Sequence, residues 1–129
     1  MTQHVYLFQP RFAPLVESGK KRQTVRPMRK RMPDVGDIAS LRAWTGQPYR
    51  SKQRLLLTAR IIGVRRVRIV YDELFLSGAR CTPAIREIFA QKDGFDNWDS
   101  MRAWFYLNHG GDTFDGFLTE WLWTEESRP

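Results

Sequence analysis

The longest β-forming run of the chain extends from Leu55 to Val70 and limits the folds that the other residues can adopt. Its second half, Val64 to Val70, alternates Val and Ile with Arg, which is typical of a strand with apolar side chains facing a core and guanidinium groups facing solvent. Gly63 interrupts the run, and a glycine inside a strand indicates a bend. Together with several shorter strands, this run predicts a small, strongly curved β-sheet or barrel.

Shorter elements surround this run on both sides. Further strands are predicted at His4–Phe8, Gln23–Arg26, Ile38–Trp44 and Phe114–Thr124. Helices are predicted at Arg11–Ser18, at Pro83–Gln91 and from an N-cap at Asn97 or Asp96 to about Asn108, from apolar residues at helical spacing. Strands at both ends of the chain enclose a helical segment, which predicts an α+β fold. With 129 residues and no internal repeat or linker, the chain (1–129) is expected to form one domain.

Composition argues against several classes of protein. The chain has no apolar run of the roughly 18 residues that a membrane-spanning helix needs. A basic and then apolar leader is also missing from the first residues. The single cysteine, Cys81, cannot form an internal disulfide, and one Cys with two His argues against a structural zinc site. We therefore expect a cytoplasmic protein with no membrane partner, metal ion or cofactor, and the oligomeric state stays open.

The positive charge is concentrated in the first part of the chain. The net charge is +7, but residues 1–71 contain sixteen Lys or Arg and three acidic residues, whereas residues 72–129 contain five basic and eleven acidic residues. Most of the cations are Arg, whose planar guanidinium group suits phosphate oxygens. This asymmetry favours a face that attracts nucleic acid or nucleotides. A solvated basic face without a partner is the alternative.

The segment Gly19–Arg26 surrounds one hydroxyl group with four cations. The hydroxyl belongs to Thr24 and the cations are Lys20, Lys21, Arg22 and Arg26. If Thr24 begins a strand, Arg22, Thr24 and Arg26 share one face, because side chains alternate along a strand. A lysine whose pKa is lowered by neighbouring cations and by desolvation can deprotonate such a hydroxyl. The same residues also fit a phosphate-binding loop without catalysis, so their spacing leaves both alternatives open.

Two other segments carry groups suited to chemistry or binding. Asp93 follows a predicted helix and precedes a glycine, where a carboxylate can accept a proton or orient a lysine. A plain turn is the alternative there. A later loop combines an aromatic ring with two cations, Tyr49, Arg50 and Lys52, and such a loop suits contact with a nucleotide. An ordinary exposed loop could have the same composition.

Several of these residues occur together in the pattern of one family. The pattern consists of Phe8-Gln9, Arg11-Phe12, Leu15 to Lys21 and Gln23 to Arg26, followed by Val35-Gly36-Asp37 and Asp93-Gly94-Phe95. It resembles the ASCH domain proteins, in which a helix leads to a Gly-Lys-Lys/Arg-x-x-Thr-x-Arg segment. The resemblance covers residues 6–124.

The resemblance implies a PUA-like fold, a small curved β-barrel of about five to six strands with flanking helices. It also implies a link to RNA. Some ASCH proteins hydrolyse N4-acetylcytidine to cytidine and acetate with Lys, Thr and Glu, and others are described as ribonucleases. Carried over to this sequence, those roles fall on Lys21 as base, Thr24 as nucleophile and Asp93, which stands where the amidohydrolases have Glu.

The resulting expectation is an amidohydrolase that acts on an acylated cytidine or a similar nucleoside. Its basic cleft is expected to be lined by Lys21, Thr24, Arg26, Asp93 and the Tyr49–Lys52 loop, with Lys20 and Arg22 as further binding residues. Two alternatives use the same cations: a non-catalytic RNA-binding module, and a metal-independent ribonuclease in which cations stabilise the charge of the transition state.

Overall fold

The protein is described by a computed structural model of residues 1–129. Its strands are β1 (Gln3–Phe8), β2 (Gln23–Pro27), β3 (Ile38–Trp44), β4 (Gln53–Val70), β5 (Glu73–Leu76), β6 (Ala79–Arg80) and β7 (Thr113–Trp121). Its helices are α1 (Ala13–Ser18), α2 (Pro83–Lys92) and α3 (Trp98–His109), followed by a 3₁₀ turn at Glu125–Ser127. This arrangement confirms the predicted α+β class.

β4 is one continuous strand of 18 residues that organises the whole sheet. Its first part pairs antiparallel with β3, which in turn pairs in parallel with β1. Its second part pairs antiparallel with β7 and β5. The register with β7 shifts between Ile61 and Gly63, so the predicted interruption is a bulge within a single bent strand. Because the two parts of β4 have different neighbours, the sheet is strongly curved and open.

β2 lies at an edge of the sheet beside β7 and carries the segment of interest. Gln23, Thr24 and Val25 are all buried, so both faces of this strand are covered. The preceding helix α1 ends at Gly19, which has a left-handed φ of 82°. A Cβ at Gly19 would lie 2.7 Å from the ring of Trp123, so only glycine fits this turn.

The two helices α2 and α3 form the predicted helical segment and lie between β6 and β7 in the chain. The Thr82 hydroxyl accepts a hydrogen bond from the N–H of Ile85 at 3.2 Å and caps α2. The Asn97 side chain accepts from the N–H of Ser100 at 2.8 Å, so Asn97, and not Asp96, is the cap of α3. α2 ends at Asp93. None of the helices is long and apolar enough to cross a membrane.

The sequence prediction missed the two short strands β5 and β6. They form a hairpin whose turn residues Ser77 and Gly78 have positive φ values of 50° and 83°, and they raise the number of strands to seven. Two predicted boundaries were also wrong. α1 begins at Ala13 because the preceding residues 10–12 form a turn, and β7 ends at Trp121, where the chain leaves the sheet.

Candidate active site

The turn after α1 directs the side chain of Lys21 into the interior of the protein. The N–H of Lys21 donates to the carbonyl of Leu15 at 2.9 Å, and only 2% of the residue is exposed. Its Nζ lies 5.0 Å from the centre of the Phe12 ring and 5.8 Å from that of Phe8. An ammonium group in such surroundings has lost most of its hydration and requires other polar partners.

Asp93 supplies those partners from the end of α2. The Nζ of Lys21 donates to the backbone carbonyl of Asp93 and lies 3.5 Å from its Oδ2. The other carboxylate oxygen, Oδ1, accepts from Nε2 of Gln23 at 3.3 Å, and the same Nε2 lies 3.5 Å from the carbonyl of Phe89. Gln23 therefore fixes the carboxylate that faces Lys21.

Burial acts on both members of this pair. It lowers the pKa of Lys21 to about 8, against the opposing effect of the Asp93 carboxylate, and the charges of Arg26 and Arg11 lower this pKa as well. Burial also raises the pKa of Asp93, against the effects of Lys21 and Gln23. A lysine with a pKa near neutrality is suited to accept a proton.

Thr24 and Arg26 are neighbours on one face of β2. Nε of Arg26 donates to Oγ1 of Thr24 at 3.0 Å, which leaves the proton of the hydroxyl free to be donated elsewhere. A second nitrogen of Arg26 donates to the carbonyl of Leu7 at 2.8 Å and holds the guanidinium group in place. This group lies 4.8 Å from the centre of the Phe8 ring. Burial lowers the pKa of Arg26 to about 10, so it remains a cation at neutral pH.

These groups open onto one cavity of about 220 Å³. Lys21, Thr24, Arg26 and Asp93 all contribute to its lining. The remaining lining includes five aromatic residues, Phe8, Phe12, Phe95, Trp104 and Phe105, together with His109. The cavity thus combines a few polar groups with apolar, largely aromatic walls, as small-molecule sites usually do.

Comparison with solved structures identifies the architecture. Three crystal structures of an ASCH protein from Zymomonas mobilis, the unaltered protein, a serine-to-alanine variant and a tyrosine-to-phenylalanine variant, match 94% of this chain. The TM-scores are 0.53–0.54 at 15% sequence identity, and 67–69% of the other chain is covered. The fold is that of an ASCH domain. No protein-family model matches the sequence, and no curated protein matches it either.

The ASCH fold brings together only some of the residues that the sequence pointed to. Lys21, Thr24, Arg26 and Asp93 line one cavity although Asp93 is far away in sequence. Lys20 and Arg22 instead line a separate surface groove with Lys92 and Trp123. Arg22 precedes β2, which begins at Gln23, and its Nε donates to the carbonyl of Gly19 at 2.6 Å, so its side chain does not line the cavity with Thr24.

The loop that contains Tyr49, Arg50 and Lys52 does not contribute to the cavity lining. Tyr49 is 88% exposed, and its ring contacts that of Trp44 with 5.2 Å between the centres. This loop joins β3 to β4, whereas the cavity is formed by β1, β2, α3 and residues that flank α1 and α2. The cavity therefore contains the polar residues of the predicted cleft, whereas this loop lies outside it.

The aromatic residues of the cavity and His109 were not among the site residues predicted from the sequence. Helical spacing places Trp104 on the same face of α3 as Trp98 and Met101, which favours a position in the core. Trp104 is only partly buried and lines the cavity. Helical spacing identifies the face that points inward but does not distinguish a packed core from the wall of a cavity.

No metal site is found among the side chains. His, Cys, Asp and Glu residues form no group of three that could hold a metal ion.

A glycine is required at position 94 by the backbone conformation and by the close approach of the Lys21 side chain. The φ of Gly94 is 93°, and a Cβ there would lie 3.1 Å from Cδ of Lys21 and 3.3 Å from Cδ1 of Leu15. We expect Gly94→Ala to lower the free energy of unfolding by about 1–2 kcal/mol through backbone strain. It should also displace Lys21 and reduce the activity proposed below. Chemical denaturation and the hydrolysis assay measure these two effects.

Gly78→Ala is the matched control for this prediction. Gly78 has a similar φ of 83°, but nothing lies within 4 Å of its Cβ position. Its replacement should therefore cost only the backbone strain and leave activity unchanged. Equal losses of stability in the two variants, with full activity in both, would show that the contact with Lys21 is unimportant.

Proposed function

We propose that the protein is an amidohydrolase that cleaves the amide of an N4-acylated cytidine or a similar nucleoside. The observation that carries this proposal is the Lys21–Asp93 pair, buried in the wall of a cavity that Thr24 also lines. Burying two charged groups is costly and rarely stabilises a fold, so such a pair at a cavity is a candidate functional site. The ASCH fold of the chain is compatible with this assignment.

The size and lining of the cavity favour a single small ligand. Its volume of about 220 Å³ lies just below the roughly 300–1,000 Å³ of common ligand sites. A single base with an acyl group suits such a space better than several nucleotides do. The aromatic walls suit a flat ring, and the polar groups Lys21, Thr24, Arg26 and Asp93 come from β2, the turn before it and the end of α2.

The proposed reaction begins at Thr24. Neutral Lys21 accepts the hydroxyl proton while Oγ1 attacks the acyl carbon, forming a tetrahedral intermediate. The C–N bond then breaks, and Lys21 returns the proton to the departing exocyclic nitrogen. Water hydrolyses the resulting ester at Thr24 in a second addition and elimination, which releases the carboxylic acid and restores the hydroxyl.

Arg26 and Asp93 support these steps from fixed positions. The guanidinium group of Arg26 is held 3.0 Å from Oγ1 of Thr24, where its charge stabilises negative charge that develops on or near that oxygen. Asp93 holds the Lys21 ammonium group through its backbone carbonyl and its carboxylate. It therefore sets both the position and the proton affinity of the base.

A second candidate, RNA binding without catalysis, is favoured by the unpaired cations of residues 1–71. Of the sixteen Lys and Arg there, only Lys21, Arg54 and Arg66 have an acidic partner within 4 Å. Asp93 and Asp115 of the second half pair with Lys21 and Arg66, and other acidic residues there pair with its own arginines, such as Arg86 and Arg102. The unpaired cations leave a positive surface that can attract phosphates.

The deciding experiment incubates the protein with N4-acetylcytidine and, separately, with a single-stranded RNA. We expect release of cytidine and acetate, with a rate that rises with pH and reaches half its maximum near pH 8, because the neutral form of Lys21 is the base. Chromatography over a range of pH values measures this. Thr24→Val should abolish the reaction, and Thr24→Ser, which keeps a hydroxyl, should retain part of it.

Other outcomes separate the remaining hypotheses. Cleavage of the RNA, lost in Lys21→Met, would indicate a ribonuclease in place of an amidohydrolase. Salt-sensitive RNA binding with no turnover of either substrate would indicate a binding module. Deacetylation that survives Thr24→Val would show that Thr24 is not the nucleophile.

A further inference from the structure

The last two turns of α3 form one side of the cavity. Trp104, Phe105 and His109 all contribute to its lining. The imidazole ring is stacked on Phe105 with 5.1 Å between centres and an interplanar angle of 24°. It also contacts Trp104 and Phe114 edge-on at 5.7 Å and 4.8 Å. The position of the His109 ring is therefore fixed by aromatic neighbours on three sides.

His109 has hydrogen-bonding capacity that the protein itself does not use. Its ring contacts are aromatic. Burial lowers the pKa of His109, and the charge of the nearby Arg26 lowers it further, since no hydrogen bond opposes these two effects. The imidazole is consequently neutral at pH 7, with one nitrogen as donor and the other as acceptor. The titratable groups that share the cavity are Lys21 and Asp93, which are engaged with each other, and the Arg26 cation.

The polar groups of the cavity are mainly donors. Arg26 is a cation without acceptor capacity, Lys21 is mainly an ammonium group below its pKa of about 8, and the Asp93 carboxylate is already occupied by Lys21 and Gln23. Such a cavity suits a ligand that is rich in acceptors. An acylated cytosine has three acceptors, namely the acyl oxygen, the ring nitrogen N3 and the ring oxygen O2, on a flat ring that can lie against aromatic side chains.

We propose that Trp104 and His109 form the base-binding wall of this cavity, with Trp104 contacting the ring of a pyrimidine nucleoside and His109 donating a hydrogen bond to one of its ring acceptors. This inference rests on the proposed function for the cavity as the substrate site, and it names the part of the substrate that the α3 side recognises. The acyl group then lies toward Lys21 and Thr24, on the β2 side. His109 is a specificity residue here and takes no part in proton transfer.

The test measures binding of cytidine, the reaction product, by isothermal titration calorimetry, so it does not depend on turnover. His109→Phe keeps a ring against Phe105 and Phe114 but removes both nitrogens. We expect its Kd for cytidine to rise about tenfold, the effect of losing one hydrogen bond and leaving its acceptor unpaired. His109→Gln, which restores a donor, should bind within about threefold of the unaltered protein. The melting temperature of each variant controls for folding.

A purely structural role for His109 predicts a different result. His109→Phe would then bind cytidine with an unchanged Kd, and this outcome overturns the inference, as does failure of the unaltered protein to bind cytidine. Trp104→Phe gives an independent measurement and should weaken binding about threefold through the smaller ring contact. An unchanged Kd in that variant also overturns the inference. Histidine-dependent binding of cytidine without any deacetylation supports the base-binding wall and contradicts the proposed hydrolysis.

Discussion

Lys21→Met is expected to lower the rate of N4-acetylcytidine hydrolysis roughly a thousandfold, since a positioned general base contributes about 10²–10⁴-fold. Methionine fills a similar volume but cannot accept the Thr24 proton or return it to the leaving nitrogen. Lys30→Met is the matched control, because Lys30 is exposed and lies outside the cavity. Its activity should stay within about twofold of the unaltered protein, as exposed substitutions usually have small effects. Steady-state assays of both variants measure the difference.

The same substitution should also destabilise the fold, with a distinctive pH dependence. Removing one partner of a buried ion pair typically costs about 3–5 kcal/mol. Burial raises the pKa of Asp93 above its unfolded-state value, and the loss of Lys21 removes the largest opposing effect. A carboxyl group with a raised pKa binds its proton more tightly in the folded state. In Lys21→Met, the stability that the protonated Asp93 carboxyl group contributes is therefore retained below its unfolded-state pKa and lost as the pH rises through its folded-state pKa.

A double variant separates the loss of activity from the loss of stability. In Lys21→Met/Asp93→Leu, two apolar side chains replace the pair, and such replacements are often neutral or stabilising by about 1–4 kcal/mol. We expect its free energy of unfolding to return close to that of the unaltered protein, while hydrolysis remains lost. Denaturation at pH 5 and pH 8 tests this. Recovery of activity in the double variant would contradict the role of Lys21 as the base.

The polar centre of the site could be predicted because local sequence determines much of its geometry. Gly19 ends a helix in a left-handed conformation, and the two-residue period of β2 places Thr24 and Arg26 on one face. Local sequence does not determine the position of Asp93 relative to Lys21. Only the family resemblance linked it to Lys21, because no local rule relates the end of α2 to the turn after α1 across 72 residues.

The walls of the cavity could not be predicted for a related reason. Phe12, Phe95 and Trp104 are brought together by three different segments, with 5.5–5.8 Å between ring centres. Each of them follows a pattern that predicts burial, and each does contact the others. Whether such a cluster encloses a cavity depends on how α1 and α3 pack on the sheet, which periodicity within one element does not specify.

The loop at Tyr49 was included in the predicted cleft on its composition and lies outside the cavity. Its composition of one aromatic and two cations is suited to nucleotides, but composition does not specify where a loop lies. The loop follows β3, and the cavity is built on β1, β2, α3 and residues that flank α1 and α2. A charged, aromatic loop was therefore assigned to a site that the order of the strands keeps apart from it.

Asp93→Asn is expected to move the pH dependence of hydrolysis to lower pH. The Asp93 carboxylate raises the pKa of Lys21 against the effect of burial, which is the larger influence. An uncharged amide removes that opposing effect, and an opposite charge at this distance typically changes a pKa by about 1–3 units. The pH of half-maximal rate should fall from near pH 8 by about one unit or more. Measuring kcat from pH 5 to pH 10 provides the test.

The direction of this change distinguishes the proposed mechanism from a mechanism in which the Lys21 ammonium group is the active form. If neutral Lys21 is the base, the variant gains active enzyme at pH 6–7, although a misplaced amine lowers its maximum rate. If the ammonium group stabilises an oxyanion, the same fall in pKa removes active enzyme at that pH. Asp96→Asn, the same substitution at an exposed residue three positions along, should leave the profile unchanged. A profile that moves to higher pH in Asp93→Asn, or does not move, would contradict the assignment of Lys21 as a base held and tuned by Asp93.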